Sequence, residues 1–202
     1  MIALPSWPGA RNAVPRELDF GGFLEPSTGA EVMRLNRKGN RYAISITMPA
    51  LKNKKDGRIW VNRLIRGRKE GARMAYPLLD FDPGAPNLPD GTPITVDGAG
   101  QAGTSLAIKD VAPGYAFLEG QPVSLEIDSQ HFFDFLAGPA IVNSDGKATL
   151  TLTQELRKPP TVGSILHVAK PMIEGFVRGD PLSWELALRR TVELSFEIHE
   201  TR

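Results

Sequence analysis

The chain has 202 residues, no cysteine and a net charge of +1 from 24 basic and 23 acidic residues. This length can bury a core in one large or two small domains, and the lack of cysteine excludes disulfides and thiolate chemistry. No apolar stretch approaches the roughly 20 residues that span a bilayer, so we predict no membrane insertion. Twenty glycines and 17 prolines predict a mainly β protein of short strands joined by turns.

The first predicted region, residues 1–81, contains a proline-rich arm, two strands and a helix. The first strand covers 31–37. The second covers 42–48, where apolar and small or polar residues alternate, and it ends at Pro49. Residues 56–68 predict an amphipathic helix, capped by Asn53 or Asp56 and ending at Gly67 or Gly71. Its apolar stripe is expected to pack on a sheet, or alternatively to bind a partner, and consists of Trp60, Val61, Leu64 and Ile65.

Positive charge is concentrated in residues 34–73, which contain thirteen basic and two acidic residues, a net +11 that leaves −10 for the remainder. Such a surface can bind phosphate backbones, and it can equally contact the acidic surface of a neighbouring copy. We favour self-association because Tyr42 and Trp60 are the only aromatic residues in the stretch. The predicted basic patch, at a subunit interface or facing phosphate, consists of Lys52, Lys54, Lys55, Arg58, Arg63, Arg66 and Arg68.

The middle region, residues 82–171, has a different pattern. It begins with a proline- and glycine-rich linker at 82–91, and closely spaced strand candidates follow with no helical pattern between them, which predicts a small barrel or sandwich. Gly98, Gly100 and Gly103 are spaced like a nucleotide-binding fingerprint, but a strand rather than a helix is expected after them, so we predict a turn. Asp145-Gly146 predicts a hairpin turn. The strand candidates are 94–97, 105–109, 122–127, 130–136, 139–143, 148–152 and 164–169.

The last region returns to long amphipathic strands. Trp184, Leu186 and Leu188 alternate with other residues, and residues 191–198 alternate apolar and polar side chains. An isolated hairpin is marginal in water, so these strands need a sheet, and the strand at 42–48 is the natural partner. We therefore predict one discontinuous domain built from 1–81 and 172–202, with 82–171 inserted as a second domain.

No residue set predicts catalysis, a cofactor or a metal site. The three histidines, His131, His167 and His199, are far apart in sequence and lack ligands at zinc-binding spacing, so we interpret them as structural or surface residues. Glu193 and Glu197 lie on the polar face of the last strand, about 13 Å apart at the rise of a strand. We interpret them as an acidic stripe that faces solvent or a neighbouring subunit.

Several segments, in order, resemble a group of tailed-bacteriophage and prophage minor tail proteins. In the first region they are Asp19-Phe-Gly-Gly22, Arg34-Leu-Asn-Arg37, Arg58-Ile-Trp-Val-Asn62 and Glu70-Gly-Ala-Arg73. In the middle and at its end they are Val96-Asp-Gly-Ala-Gly-Gln-Ala-Gly103, Pro113-Gly114, Glu119-Gly-Gln-Pro122, Asp145-Gly-Lys-Ala-Thr149 and Lys170-Pro-Met-Ile-Glu-Gly-Phe176. Within that group the chain is most similar to distal tail proteins. The resemblance implies a tail-tube-like β-sandwich or barrel with one packed α-helix and an inserted small β-barrel domain.

The same resemblance implies a structural function without enzymatic activity. Distal-tail-like proteins form a ring of six copies that joins the tail tube to the tail tip or baseplate, around a channel through which DNA passes without specific binding. In such a ring the acidic stripe of Glu193 and Glu197 is a candidate for the lining of the lumen. The expected partners are other copies of the chain, the tail-tube protein and tip or hub proteins. The expected location is the virion tail tip, after assembly in the bacterial cytoplasm. The alternatives are a nucleic-acid-binding module that uses residues 34–73 and, less favoured, a cell-wall hydrolase.

Overall fold

The computed structural model describes residues 1–79, 81–179, 184–186 and 191–201. In this part of the chain the structure is mainly β with a single α-helix, as predicted. Seven strands precede the middle region: β1 (Ile2–Ala3), β2 (Asn12–Leu18), β3 (Gly22–Leu24), β4 (Met33–Leu35), β5 (Arg41–Thr47), β6 (Leu51–Lys52) and β7 (Ala72–Ala75). A π-helical turn, Asn53–Gly57, leads into the helix α1 (Arg58–Glu70).

Eight strands lie in the middle region: β8 (Thr95–Val96), β9 (Ser105–Lys109), β10 (Ala116–Phe117), β11 (Pro122–Ile127), β12 (Gln130–Phe135), β13 (Ala140–Ile141), β14 (Ala148–Thr151) and β15 (Ile165–His167). Three strands follow: β16 (Met172–Arg178), β17 (Trp184–Leu186) and β18 (Thr191–Glu200). The predicted strand at 31–37 is thus limited to β4. Leu188, part of the predicted alternation after Trp184, lies outside the described residues.

The first sheet has the strand order β1-β7-β16-β18-β5-β2, and β6 and β17 pair with the first half of β18. The predicted pairing between the last strand and 42–48 is confirmed, because Phe196 in β18 lies opposite Ile46 in β5. Along β18, buried Val192, Leu194, Phe196 and Ile198 alternate with more exposed residues. Two segments distant in sequence therefore form the centre of this sheet.

The prediction of an arm before residue 31 is wrong for residues 12–18. These residues form β2, which pairs with β5 along its whole length. Pro15 lies in the middle of β2, and proline is usually a signal against a strand because it has no N–H for the ladder. β2 is the last strand in the sheet order, so one of its sides pairs with no described strand. An edge strand of this kind tolerates a residue that has no N–H to donate.

Helix α1 packs on the first sheet through Trp60 and Leu64, both almost completely buried. Gly67 allows a close approach, because a Cβ there would lie 3.0 Å from Ala72 Cβ and from Val177 Cγ2. The buried face runs through positions 60, 64 and 67, so the predicted stripe is too wide: Val61 is half-buried and Ile65 is exposed. The helix ends at Gly71, one of the two predicted positions, where φ is +80°.

The predicted caps of α1 are wrong. The N-cap residue is Gly57, and it makes no side-chain hydrogen bond to the helix. Asn53 and Asp56 both lie inside the π-helical turn that precedes α1. Because this turn continues directly into the helix, neither residue stands at the boundary where a side chain could accept from the first free N–H groups.

The second sheet draws all its strands from the middle region, in the order β12-β11-β15-β8-β9-β14. Its two end strands meet beyond Phe135, where the Ala137 N–H donates to the Thr151 oxygen (2.8 Å) and the Thr153 N–H donates to the Phe135 oxygen (2.9 Å). The sheet therefore curls until its edges touch. Every predicted strand of this region is present, although several are shorter than predicted.

Two predicted turns in the middle region have different outcomes. The glycine-rich segment is a turn between β8 and β9, which pair with each other. The predicted turn, followed by a strand and not by a helix, is therefore confirmed. The side chain of Gln101 fills this turn: its Nε2 donates to the oxygens of Asp97 and Ala107, and its Oε1 accepts from the Ala107 N–H. Asp145-Gly146 is also a tight turn, closed by the hydrogen bond from the Asn143 N–H to the Lys147 oxygen (3.0 Å). The named strands that flank it, β13 and β14, pair with β10 and β9 and form no ladder with each other.

Each sheet encloses its own apolar core, and β12 connects the two. Phe133 in β12 belongs to the core of the first sheet, where it contacts Tyr42 edge-on (5.4 Å between ring centroids) and stacks on Tyr76 (4.6 Å). The first sheet uses strands from residues 2–75 and 172–200, and the second uses strands from 95–167. The division into domains at 81/82 and 171/172 stays a prediction, since Phe133 contributes to the other core.

Buried polar groups accompany these aromatic contacts. The Tyr42 hydroxyl donates to Asp134 Oδ1 (2.9 Å), and the backbone N–H groups of Phe135 and Gln154 also donate to the Asp134 carboxylate (2.8 and 3.1 Å). Burial raises the pKa of Asp134 to about 6, although these three donors act in the opposite direction. Asp134 thus carries a charge at neutral pH at a cost to stability.

The raised pKa of Asp134 makes the stability of the folded protein depend on pH. Between about pH 4 and pH 6 the folded protein holds a proton on Asp134 that the unfolded chain has lost, so stability falls as the pH rises through this window. A shift from 3.8 to about 6 corresponds to about 3 kcal/mol. We expect Asp134→Asn to remove this part of the pH dependence, as measured by urea unfolding from pH 4 to 7. Parallel curves for the parent and the variant would contradict it.

Candidate functional site

Five of the seven residues of the predicted basic patch line one open groove on α1 and the preceding turn. The groove has a volume of about 370 Å³, and its basic residues are Lys54, Lys55, Arg58, Arg63 and Arg66. On α1 they lie at positions 58, 63 and 66, on the side of the helix opposite the buried Trp60 and Leu64. Ile59 and Asn62 complete the lining. We call this surface the basic groove.

Part of the positive charge of the basic groove is compensated by an ion pair within the chain. Arg66 forms a bidentate ion pair with Glu70 at 3.0 and 3.1 Å, and this hydrogen bonding lowers the pKa of Glu70. Arg63 Nη1 donates to the Ala3 oxygen (2.7 Å), and Arg58 Nη2 donates to the Lys54 oxygen. The side chains of Arg58 and Arg63 are thus oriented by neutral backbone oxygens, and no carboxylate among the described residues forms an ion pair with either.

The other two residues of the predicted patch lie elsewhere. Lys52 is exposed in β6, opposite Thr191 of β18. Arg68 lines a second surface depression together with Lys69, Phe176 and Arg178. The seven residues therefore do not form one patch, because α1 turns Arg68 away from the side that carries Arg58 and Arg66.

The predicted acidic stripe is only partly a stripe of free charge. Glu193 is exposed, whereas Glu197 is half-buried in a network on the same face of the first sheet. Its carboxylate forms an ion pair with Arg16 of β2, accepts from Ser45 Oγ (2.9 Å) and lies 2.9 Å from His199 Nε2. Burial acts to raise the pKa of Glu197, but the contacts with His199 and Ser45 outweigh it and lower that pKa. Glu197 is therefore compensated within the subunit.

A surface that the sequence reasoning did not identify is the hairpin β3–β4. These two strands pair with each other and, among the described residues, with no other strand. Phe23 and Met33 are 62% and 65% exposed. Exposed apolar side chains cluster on residues 20–35, which we call the apolar arm: Phe20, Phe23, Leu24, Val32, Met33 and Leu35.

Polar contacts fix the base of the apolar arm. Asn40, which is buried, accepts from the Phe20 N–H (2.9 Å) through Oδ1. Asp19 Oδ2 accepts from Arg34 Nη2 at 2.8 Å. The Arg34 guanidinium also lies 5.3 Å from the centre of the Phe23 ring. These contacts give the arm a defined orientation. The hairpin itself was not predicted because β3 and β4 have only three residues each, too few for an alternating pattern to be recognised.

The histidines are not all isolated. The pairing of β11 with β12 and β15 brings His131 and His167 together with Glu126, and their ligand atoms lie within 4.8 Å of one another. Two histidines that are far apart in sequence are thus neighbours in the fold, and their interpretation as structural or surface residues stays a prediction. Sequence spacing gave no signal, because residues 126 and 167 meet through strand pairing across 41 positions. Only His199 lies apart, beside Glu197.

Comparison with known proteins adds no assignment to these surfaces. No model of a known protein family matches the chain, and no curated protein matches it at a significant level. Within the described part of the chain, none of the helices has the length and apolar content needed to cross a membrane.

Proposed function

We propose that this chain is a structural tail protein of a tailed bacteriophage or prophage, similar to distal tail proteins, and that it assembles into a ring. The observation that carries the proposal is the apolar arm. Six large apolar side chains are exposed on residues 20–35, whose two strands pair with no other described strand. Clustered exposed apolar surface on a soluble chain is typical of a protein–protein interface.

The apolar arm suits a head-to-tail contact between copies. An arm on one side of a subunit that docks on a different surface of the next subunit is a heterologous interface, and such an interface closes into a ring when the rotation between subunits closes. The segregated charge supports the same arrangement. The basic groove belongs to a stretch of +11, and the rest of the chain carries −10, so neighbouring copies can present complementary potentials.

The number of copies and the place in the tail rest on the resemblance alone. It implies six copies, tail-tube and tip or hub proteins as partners, and a channel that DNA crosses without specific binding. In this proposal the chain has no catalytic residue. Since Glu197 is compensated by Arg16, an acidic lining of the channel would depend on Glu193 and not on a pair of carboxylates.

The proposal is tested by mass in solution. Light scattering on a sizing column, over a range of concentrations, is expected to detect a large species of about six copies, with a central hole in negative-stain images. We expect the double substitution Phe23→Ser and Met33→Ser to weaken association at least tenfold, because it removes apolar surface from the arm without touching either core.

The matched control is the double substitution Ile141→Ser and Val162→Ser. These side chains are 76% and 61% exposed and lie outside the arm, so this variant also removes two exposed apolar side chains and is expected to assemble like the parent. Equal loss of assembly in both variants would contradict a specific role of the arm. A parent that stays monomeric at every concentration would contradict the self-assembling ring.

The alternative is a nucleic-acid-binding module, and the basic groove is the observation that favours it. Arg58 and Arg63 lie beside Lys54 and Lys55, and within the described ranges of the chain neither arginine has a carboxylate partner. Binding through this groove would weaken steeply with salt, because each neutralised phosphate releases counterion. A monomeric parent that retains DNA at moderate salt, and loses it with Arg63→Glu and Arg66→Glu, would replace the ring proposal by this one.

A further inference from the structure

Three potential metal ligands lie on one face of the second sheet. Glu126 in β11 is directly opposite His131 in β12. On its other side Glu126 is opposite Ile165 of β15, and His167 follows Ile165 by two residues, so it points to the same face. The three side chains therefore come from three adjacent strands, and their positions are fixed by the ladders and not by a mobile loop.

Two of the three distances between their polar atoms are close to those of a metal site, and all three ligand atoms lie within 4.8 Å of one another. His167 Nε2 lies 2.8 Å from Glu126 Oε2, and His131 Nε2 lies 3.8 Å from the same oxygen. In a tetrahedral zinc site with bonds near 2.0–2.1 Å, ligand atoms are about 3.3 Å apart. Both distances differ from this value by about half an ångström, which side-chain rotation can supply.

The state of His131 also suits coordination. Its side chain is almost completely buried, its Nδ1 has no hydrogen-bond partner in the described part of the chain, and its Nε2 is too far from Glu126 for a hydrogen bond. In the tautomer that carries its proton on Nδ1, Nε2 has a lone pair directed at an acceptor position near Glu126, and a metal ion between the two residues can bind it.

The surroundings are compatible with a cation. Arg73 is the positive group beside His131, and its own charge is compensated by the buried Glu174, since Arg73 Nε lies 2.6 Å from Glu174 Oε2. Glu126 and His167 are only half-buried, which leaves a path from solvent.

We propose that Glu126, His131 and His167 form a binding site for a divalent transition-metal ion, with Zn²⁺ as the best-fitting ion. Two imidazoles and one carboxylate are a donor set that zinc accepts, with a water molecule as the fourth ligand. The ion would join β11, β12 and β15 on the side of the second sheet that carries Phe133 toward the first core. This proposal is independent of the proposed tail function.

The test uses the full chain, stripped with a chelator and desalted, and ZnCl₂ as the probe. Isothermal titration calorimetry is expected to detect one ion per chain. Zinc in large excess over its dissociation constant is expected to raise the thermal midpoint by about 5 °C or more, because it binds the folded state. Co²⁺ in place of Zn²⁺ is expected to give the visible absorption of a tetrahedral nitrogen–oxygen site.

Three variants locate the ion. We expect His167→Gln to weaken zinc binding at least tenfold, and Glu126→Gln to do the same, while both keep the circular dichroism spectrum of the parent because both side chains reach solvent. His199→Gln is the matched control, since it removes a histidine that contacts a different glutamate, and it is expected to bind zinc like the parent. No binding by the parent, unchanged binding in the first two variants, or equal loss in the control would each overturn the proposal.

Discussion

Replacing Glu200 with glutamine is expected to lower the free energy of unfolding by about 3–5 kcal/mol, the cost of breaking a buried ion pair by removing one partner. The Glu200 side chain is fully buried at the end of β18 and forms an ion pair with Arg157 at 3.0 Å. Its carboxylate also accepts the backbone N–H groups of Tyr42 and Phe133, both at 2.9 Å. These donors come from β5 of the first sheet and β12 of the second, so one carboxylate links both.

Glutamine has nearly the same shape but cannot serve all these donors. Its amide nitrogen would face either the Tyr42 N–H or the Phe133 N–H and Arg157, and Arg157 would lose its ion-pair partner. Burial raises the pKa of Glu200, while Arg157 and the two N–H groups act in the opposite direction. All the partners named here are donors, which is the pattern of an ionised carboxylate.

Urea unfolding at neutral pH measures this effect, and Glu155→Gln is the matched control. Glu155 pairs with Lys38 at 3.8 Å on the surface, where both side chains are largely exposed. An exposed pair contributes at most about 1 kcal/mol, so the control is expected to unfold close to the parent. Similar midpoints for the two variants would refute the role given to Glu200.

Gly175→Ala is expected to destabilise the protein by about 3 kcal/mol or more, although it adds a single methyl group. Gly175 lies in β16, opposite Ala72 on one side and Glu200 on the other. A Cβ at this position would overlap the backbone carbonyl group of His199 and lie 2.8 Å from Glu200 Cα. Because the obstacle is backbone, β16 and β18 would have to separate, which is more costly than ordinary overpacking.

Gly138→Ala is the control for this prediction. Gly138 does not have a positive φ, and a Cβ there would meet nothing within 4 Å. Alanine at such a position restricts the unfolded chain, so this variant is expected to equal the parent or to exceed it by up to about 1 kcal/mol. Equal urea midpoints for Gly138→Ala and Gly175→Ala would contradict the close approach between β16 and β18.

The strands with a regular period were predictable from the sequence. Residues 191–198 alternate clearly, and β18 buries the predicted apolar residues against β5. In the middle region, Ser105–Lys109 and Pro122–Ile127 match the predicted bounds, because turns flank them closely. The strand β2 was missed because Pro15 signals a break, and only the sheet order reveals that β2 is an edge.

The candidate sites were less predictable because they depend on which strands and helix faces become neighbours. The composition of residues 34–73 indicated a basic surface, but the rotation of α1 separates Arg68 from Arg63. Glu126 was not a candidate at all, because nothing in its local sequence distinguishes it from a surface glutamate. Its position opposite His131 follows from the ladder between β11 and β12, which periodicity does not specify.

The strand order of the first sheet also determines when it can be completed. β16 and β18 lie between β7 and β5, and both are made by the ribosome after the middle region. The second sheet draws its strands from residues 95–167, so it can form all its pairings before β16 and β18 have been synthesised. Until then no strand connects β7 with β5. Closing that gap brings together segments about 100 to 150 residues apart, which is an entropically costly and slow step. We therefore expect the nascent chain to acquire protease resistance first in the middle region, and we expect the first sheet to form last.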